Sequence, residues 1–216
     1  MFYTSKYFIN LFILILKQLN MKKIILSLAA VFAFSFANAQ ESTTDGGFAK
    51  GDVFVSGSFG FSSEKTGDLK SNGFEFSPAV GFFLTENIAL GGRLGIMSEK
   101  NENGSAETKM NGFGVEAFGR YYMTPASKFS VFGELAVGIG SFKTEVGPAE
   151  TKSKTFGVNA GIGVNYFLSS NWAIEAGWAG LGYNTDDNGG NGADKTNTFG
   201  LNVDLSSINF GLIYKF

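Results

Sequence analysis

From Val53 to the C-terminus, apolar side chains recur at every second residue, which is the period of a β-strand and not of a helix. Val53, Val55, Phe59 and Phe61 share one face with Gly57, while Ser56, Ser58 and Gly60 share the other with Phe54. The same alternation defines windows at 53–61, 74–84, 88–97, 112–123, 129–141, 156–168, 172–182 and a last one ending at 216, so eight strands are expected. Their connections alternate in length: residues 85–87, 124–128 and 169–171 are tight, whereas 62–73, 98–111, 142–155 and the stretch from Tyr183 are long and polar. Short turns at one rim, long loops at the other and an even strand count describe an antiparallel up-and-down transmembrane barrel, with short periplasmic turns and long extracellular loops. One place breaks the rhythm. Phe199, Leu201, Val203 and Leu205 keep one parity, but Ile208, Phe210, Leu212, Tyr214 and Phe216 keep the other, so the phase slips at Ser206 and Ser207. Either a β-bulge re-aims the strand there, or 197–205 belongs to the fourth loop and folds above the membrane.

Composition agrees with β structure and removes several chemistries. The 24 Phe and 30 Gly against 3 Pro are unusual for a helical protein. With no Cys there is neither a disulfide nor a thiolate metal site, and with no His there is no His-based triad and none of the usual zinc sites. Lys22 and Lys23, the apolar run 24–36, then Ala37, Asn38 and Ala39 before Gln40 read as a secretory signal with an A-x-A cleavage site. Residues 1–20 carry a second apolar run, 8–16, too short to span a bilayer as a helix. They read as a spurious extension ahead of a true start at Met21. The organisation expected is therefore signal peptide 21–39, N-terminal periplasmic segment 40–52 and outer-membrane barrel 53–216. Cleavage after Ala39 removes four lysines and no acid, leaving a formal charge of −6 and no basic patch for nucleic acid.

Alternation alone does not separate a membrane barrel from a soluble one, which turns its apolar face inward. Charge placement does. No charged residue falls on the apolar face, whereas Glu75, Arg93, Glu116, Arg120, Glu134, Glu175 and Lys215 all fall opposite. More than half of that opposite face is Gly, Ala or Ser, which suits a cramped interior leaving room for inward Phe83, Phe118, Phe132 and Phe167. The apolar face carries Trp172, Tyr166, Tyr121, Tyr214 and Phe216 beside the short turns, as an aromatic girdle would. The apolar face is thus expected to meet outer-membrane lipid.

The last strand, Asn209-Phe210-Gly211-Leu212-Ile213-Tyr214-Lys215-Phe216, completes a pattern that resembles the OmpA/OmpX-type family of small outer-membrane barrels over 53–216. The resemblance implies that Asn209, Gly211, Tyr214 and Phe216 form a terminal signal read by the outer-membrane barrel assembly machinery. Larger members of the family continue into a peptidoglycan-binding domain; here the chain is expected to stop at the barrel.

The seven inward charges have two readings: a balanced ion-pair network filling the lumen, or a gate or proton-conducting relay. Glu116 and Glu134 are a candidate acid/base pair, which Arg93 and Arg120 would neutralise, and no enzyme activity is expected. Asp186, Asp187, Asn188, Asn191 and Asp194 offer oxygen ligands for Ca²⁺, yet the ordered spacing and closing Glu of an EF-hand are missing, so a solvated, mobile loop is expected and no metal or cofactor. The function expected is a structural or adhesin-like surface role, with an extracellular ligand met through the long loops. A narrow channel for small solutes and a soluble periplasmic ligand-binding barrel are the alternatives.

Overall fold

The structure, a computed structural model, describes residues 46–104, 106–190, 192–203 and 209–216. The proposed extension, the signal peptide and its cleavage residues Ala37, Ala39 and Gln40 lie outside the described residues. The chain forms β1 (Val53–Thr66), β2 (Leu69–Phe83), β3 (Ile88–Asn103), β4 (Ala106–Tyr122), β5 (Phe129–Val146), β6 (Ala149–Phe167), β7 (Trp172–Asp186), β8 (Thr196–Val203) and β9 (Asn209–Lys215). Every pairing is antiparallel and runs between chain neighbours, and β9 closes the circle between β7 and β1. Over Phe54–Ser58 of β1 and Trp172–Gly177 of β7 this closing strand satisfies backbone N–H and C=O groups that lipid cannot. No helix of the described residues is long and apolar enough to cross a membrane.

The windows read from alternation are too short at one end. The segments 62–73, 98–111 and 142–155, expected as loops, continue as paired strands: Ser62 pairs with Gly73, Ser98 with Asn111, and Phe142 with Ser153. They turn over at Gly67, Gly104 and Gly147, whose φ values of 61°, 58° and 57° are the left-handed conformation that a two-residue hairpin requires at its first central position. Hydrophobic alternation misses these extensions because above the bilayer both faces of the strand meet water.

The outer face carries an apolar band of finite height. Outward apolar residues run over 88–96 on β3 and 129–139 on β5, nine and eleven residues. At ~3.3 Å per residue and a tilt of ~40°, that band is about 20–28 Å tall, the height of an outer-membrane hydrocarbon layer. Beyond it the same face turns charged. Lys70, Glu102, Lys100, Glu107 and Lys109 form one ladder with N–O distances of 2.6–3.1 Å, and Glu145, Lys143, Glu150 and Lys152 a second. The Lys100 and Lys109 ammonium groups hold the Glu107 carboxyl down to about 2. Leu135 on the band is 62% exposed and Phe210 65%. A soluble barrel with an apolar cavity is set aside, because the apolar side chains lie outside.

The broken rhythm near the C-terminus has a counterpart on β7. On β7 the register steps from Gly163–Gly177 to Ile162–Ala179, so Trp178 is an extra residue, a β-bulge. Below it Trp172 and Ile174 are the outward, exposed residues; above it the parity flips and Leu181 and Tyr183 take that role. On the neighbouring strands Gly177 pairs with Asn209 and Ala179 with Val203; Ser206 and Ser207, where the phase slips, lie outside the described residues. Residues 196–203 are strand paired along β7, not a loop folded away above the membrane.

Inside, rings and glycines interlock. Phe54 pairs with Gly81, Phe118 with Gly91 and Phe132 with Gly163 across neighbouring strands. A Cβ on Gly81, Gly91 or Gly163 would stand 2.2 to 2.3 Å from the facing ring. These are the positions where a narrow barrel admits a large side chain only because its neighbour has none. Gly91→Ala would also meet the Val80 carbonyl at 2.4 Å. Overpacking of this kind costs ~1–3 kcal/mol. Urea unfolding of the refolded barrel should show that loss for Gly91→Ala and almost none for Gly95→Ala, whose Cβ would have nothing within 4 Å.

Candidate functional site

Among the described residues the lumen gathers convergent polar side chains, and it is built in tiers. At the short-turn end the described chain ahead of β1, from Gly46, enters the barrel. Phe48 is 2% exposed and its ring packs against Phe83 (centroids 4.5 Å apart), Phe167 (4.9 Å), Phe54 (5.4 Å) and Tyr122 (5.5 Å). The cork is anchored by its backbone: the Phe48 N–H donates to the Pro125 carbonyl at 2.7 Å, and the Gly51 N–H to that of Phe83 at 2.9 Å. Residues 46 and 47 must both be glycine. Their φ values are +85° and +105°, and a Cβ would stand 2.6 Å from Phe167 Cβ or 2.5 Å from the Ala126 carbonyl oxygen.

Lys215 locks this tier. Its Nζ donates to the Gly47 carbonyl at 2.7 Å and lies 3.6 Å from Asp52 Oδ2, and its side chain is almost fully buried. The base on the closing strand therefore holds the segment that precedes the first strand. Neither Phe48 nor Asp52 was singled out by the sequence pattern. The Gly46-Gly47-Phe48 run directly before β1, and an inward lysine with no acid at its own depth on any strand, were the available signals.

Above the cork lies an ionic tier of alternating sign. Arg93 donates to Glu116 and, through Nη2, to both oxygens of Glu134 at 3.0 and 2.8 Å. Arg120 donates from Nε to Glu134 at 2.6 Å and from its two Nη atoms to Glu175, the longer contact 3.2 Å, and it also reaches the Tyr122 hydroxyl at 3.3 Å. Its guanidinium is sandwiched between Phe132 and Phe118, 4.4 and 4.9 Å from their centroids. Five of the seven inward charges, Arg93, Glu116, Arg120, Glu134 and Glu175, thus form one chain, with both guanidiniums shared and every carboxylate engaged. Glu116 and Glu134, weighed as an acid/base pair, are bridged by Arg93. Glu75 is not in this network: it stands exposed on the inward face of β2, higher in the barrel.

The aspartates of the fourth connection serve the hairpin itself. Asp187 accepts from the N–H groups of Lys154 (2.8 Å) and Gly189 (3.2 Å), and the Lys154 contact leads in holding its carboxyl below the ordinary value. Asp186 accepts from Ser153 and the Asn188 N–H; Asn188, at φ +50°, donates to the Asp194 carbonyl and Thr196, both at 2.7 Å. Asn191 lies outside the described residues. No group of three or more acids suited to a metal ion occurs among the described residues. Of the terminal-signal residues, Gly211 pairs with Ser58 and Glu175, and Tyr214 packs edge-on against Trp172 with centroids 4.9 Å apart.

Removing one partner of a buried ion pair strands the other, at a cost of ~3–5 kcal/mol. Arg120→Met should lower the urea stability of the refolded barrel by that amount, because Glu175 loses its partner and Glu134 keeps only Arg93. Arg120→Met combined with Glu175→Gln should regain part of the loss; a double variant as weak as the single would show that packing of Arg120 between the rings, not charge, carries the effect.

Comparison with known proteins follows the same lines. A search of curated proteins finds no match. Among solved structures the chain is similar to the outer membrane protein OprG of Pseudomonas aeruginosa, with 14% identity, 79% of this chain and 98% of that one covered, and a TM-score of 0.52. It is also similar to the N-terminal β-barrel domain of Pseudomonas aeruginosa OprF (14% identity, 78% and 100% covered, TM-score 0.46). A third is the attachment invasion locus protein Ail of Yersinia pestis (15% identity, 77% and 99% covered, TM-score 0.44). At such identity the likeness concerns the fold. The sequence profile described as "Outer membrane protein beta-barrel domain" matches residues 26–216, and the chain, an eight-position antiparallel barrel with its apolar face outward, belongs to that family of the outer membrane.

Proposed function

We propose that this protein is a sealed barrel with a structural and adhesin-like role, holding rigid hairpins beyond the outer surface of the outer membrane. The observation that carries this reading is the double closure of the lumen. The Phe48 cork fills one end and the Arg93–Arg120 ionic tier fills the middle, while the strands outrun the bilayer into hairpins bearing exposed charge ladders. A conducting barrel needs a continuous polar path; a scaffold for surface contact needs rigid elements that project.

Planar-bilayer recording tests the seal. The folded protein should give no conductance steps, Phe48→Ala alone should give none because the ionic tier persists, and Phe48→Ala with Arg120→Ala should conduct. Regular steps from the unaltered protein would instead establish the narrow-channel alternative. Bacteria displaying the barrel should attach to host-cell or matrix surfaces, and trimming both the 142–155 and 98–111 hairpins to the membrane edge should remove that attachment without lowering the amount of folded barrel.

The closing strand supports a second part of the proposal, recognition of Asn209, Gly211, Tyr214 and Phe216 by the barrel assembly machinery. β9 is short and pairs with both β7 and β1, and its Tyr214 packs against Trp172. Phe216→Ala and Tyr214→Ala should lower folded barrel in the outer membrane several-fold in cells, yet refold normally into detergent. Equal losses in both settings would make these residues ordinary packing.

A further inference from the structure

The lumen above the ionic tier is an open cup, and its walls are sorted by charge. Along the β5–β6 hairpin, Lys143, Glu145, Glu150 and Lys152 point outward while the alternate residues Phe142, Thr144, Thr151 and Ser153 point inward. The inward residues border a cavity of about 760 Å³, joined through Phe142, Thr155 and Asn184 to a smaller one of about 210 Å³ that reaches down to Arg93 and Glu116. The volume is that of a small-ligand site. It is blind, because the ionic tier and the Phe48 cork close it below.

At the junction of the two cavities stand two carboxamides. β6 carries Gly157 and Asn159, β7 carries Gly182 and Asn184, and antiparallel pairing sets Gly157 opposite Asn184 and Gly182 opposite Asn159. Each carboxamide lies across the bare backbone of the facing glycine: a Cβ on Gly157 would meet Asn184 Oδ1 at 2.2 Å, and one on Gly182 would meet Asn159 Oδ1 at 2.3 Å. The reciprocal Gly-x-Asn arrangement thus fixes two planar donor–acceptor groups side by side. Among the described residues neither has a hydrogen-bond partner, nor do the hydroxyls of Thr144, Thr155 and Thr198 around them.

We infer that this cup binds a neutral saccharide, the carboxamides bridging adjacent hydroxyls of one sugar ring and Phe142 lying against its C–H surface. A carboxamide presents an NH₂ donor group and a carbonyl acceptor in one plane, which matches a vicinal diol; threonine hydroxyls donate or accept as required. An anionic ligand is disfavoured. Arg93 is already shared by Glu116 and Glu134, the hairpin lysines that form the charge ladders point away from the lumen, and the facing β2–β3 wall adds Glu75 and Glu99. A metal cation is disfavoured because Asp186, the acid of the neutral wall, is engaged by Ser153 and Asn188. The inference rests on the surface-contact reading above and gives it a ligand class.

The test uses the full mature barrel folded in a phosphocholine detergent, free of sugar headgroups, with maltose, lactose and N,N′-diacetylchitobiose as probes and a sulfated disaccharide as the anionic control. At least one neutral disaccharide should shift the side-chain amide resonances of Asn159 and Asn184. Its affinity should fall at least tenfold in Asn184→Ala and in Thr155→Val, each checked as folded by heat-modifiability, and stay unchanged in the outward variant Lys143→Ala. No shift with any neutral probe, equal binding of the sulfated probe, or undiminished affinity in both cup variants would overturn the saccharide cup. Attachment of barrel-bearing bacteria separates the two readings. Attachment that survives Asn184→Ala where no probe binds removes the cup and keeps the surface role, whereas probe binding without attachment removes the surface role and keeps the cup.

Discussion

The interior of an eight-stranded barrel is about one side chain wide, and the interlock of rings with glycines is what allows this one to be filled at all. Phe54 over Gly81, Phe118 over Gly91 and Phe132 over Gly163 are direct cross-strand pairs, so register and packing are the same constraint. Slipping Phe54 or Phe132 by one residue would set its ring opposite a large side chain, and a one-residue slip of any of these pairs would turn an apolar row towards the lumen. The rings in turn supply the faces between which Arg120 is held, so the ionic tier depends on them as well.

The ionic tier and the cork solve one problem by different physics. A narrow lumen crossing a low-dielectric layer must be either wet or filled. Near the short turns it is filled by aromatic contact, with Phe48 borrowed from the segment before β1 because the strands alone leave room among Phe54, Phe83, Tyr122 and Phe167. Higher up it is filled by alternating charges, whose desolvation is offset only because each carboxylate meets a guanidinium and each guanidinium is used more than once. The charges fill and brace; the uncharged hydroxyls and carboxamides above them are the groups left available to a visitor from outside.

Much of this was legible in the chain, for particular reasons. Inward Phe83, Phe118, Phe132 and Phe167 and outward Trp172 and Tyr166 followed from parity, because lipid on one side and a cramped interior on the other make the two faces chemically unlike. The hairpin extensions were not legible as strand, because water on both sides of 62–73 and 142–155 removes that contrast while the Gly67 and Gly147 turns still hold the strands in register. The phase slip was noticed near Ser206, but its counterpart at Trp178 was missed, although Leu181 and Tyr183 already stand on the wrong parity for a regular β7. Lys215 was marked as an inward charge; its acid, Asp52, lies outside any strand and could be matched to it only in space.

Taken alone, the amino-acid sequence determined the strand period, the faces, the even strand count and the residues that would be inside, since each is a local property read residue by residue. Only the tertiary structure decided which inward groups meet. That Arg93 and Arg120 both grip Glu134, that Phe48 enters the lumen, and that Gly157 lies opposite Asn184 while Gly182 lies opposite Asn159 all depend on register and closure. Register is set by the sum of pairings around a closed ring, and no single strand contains that sum.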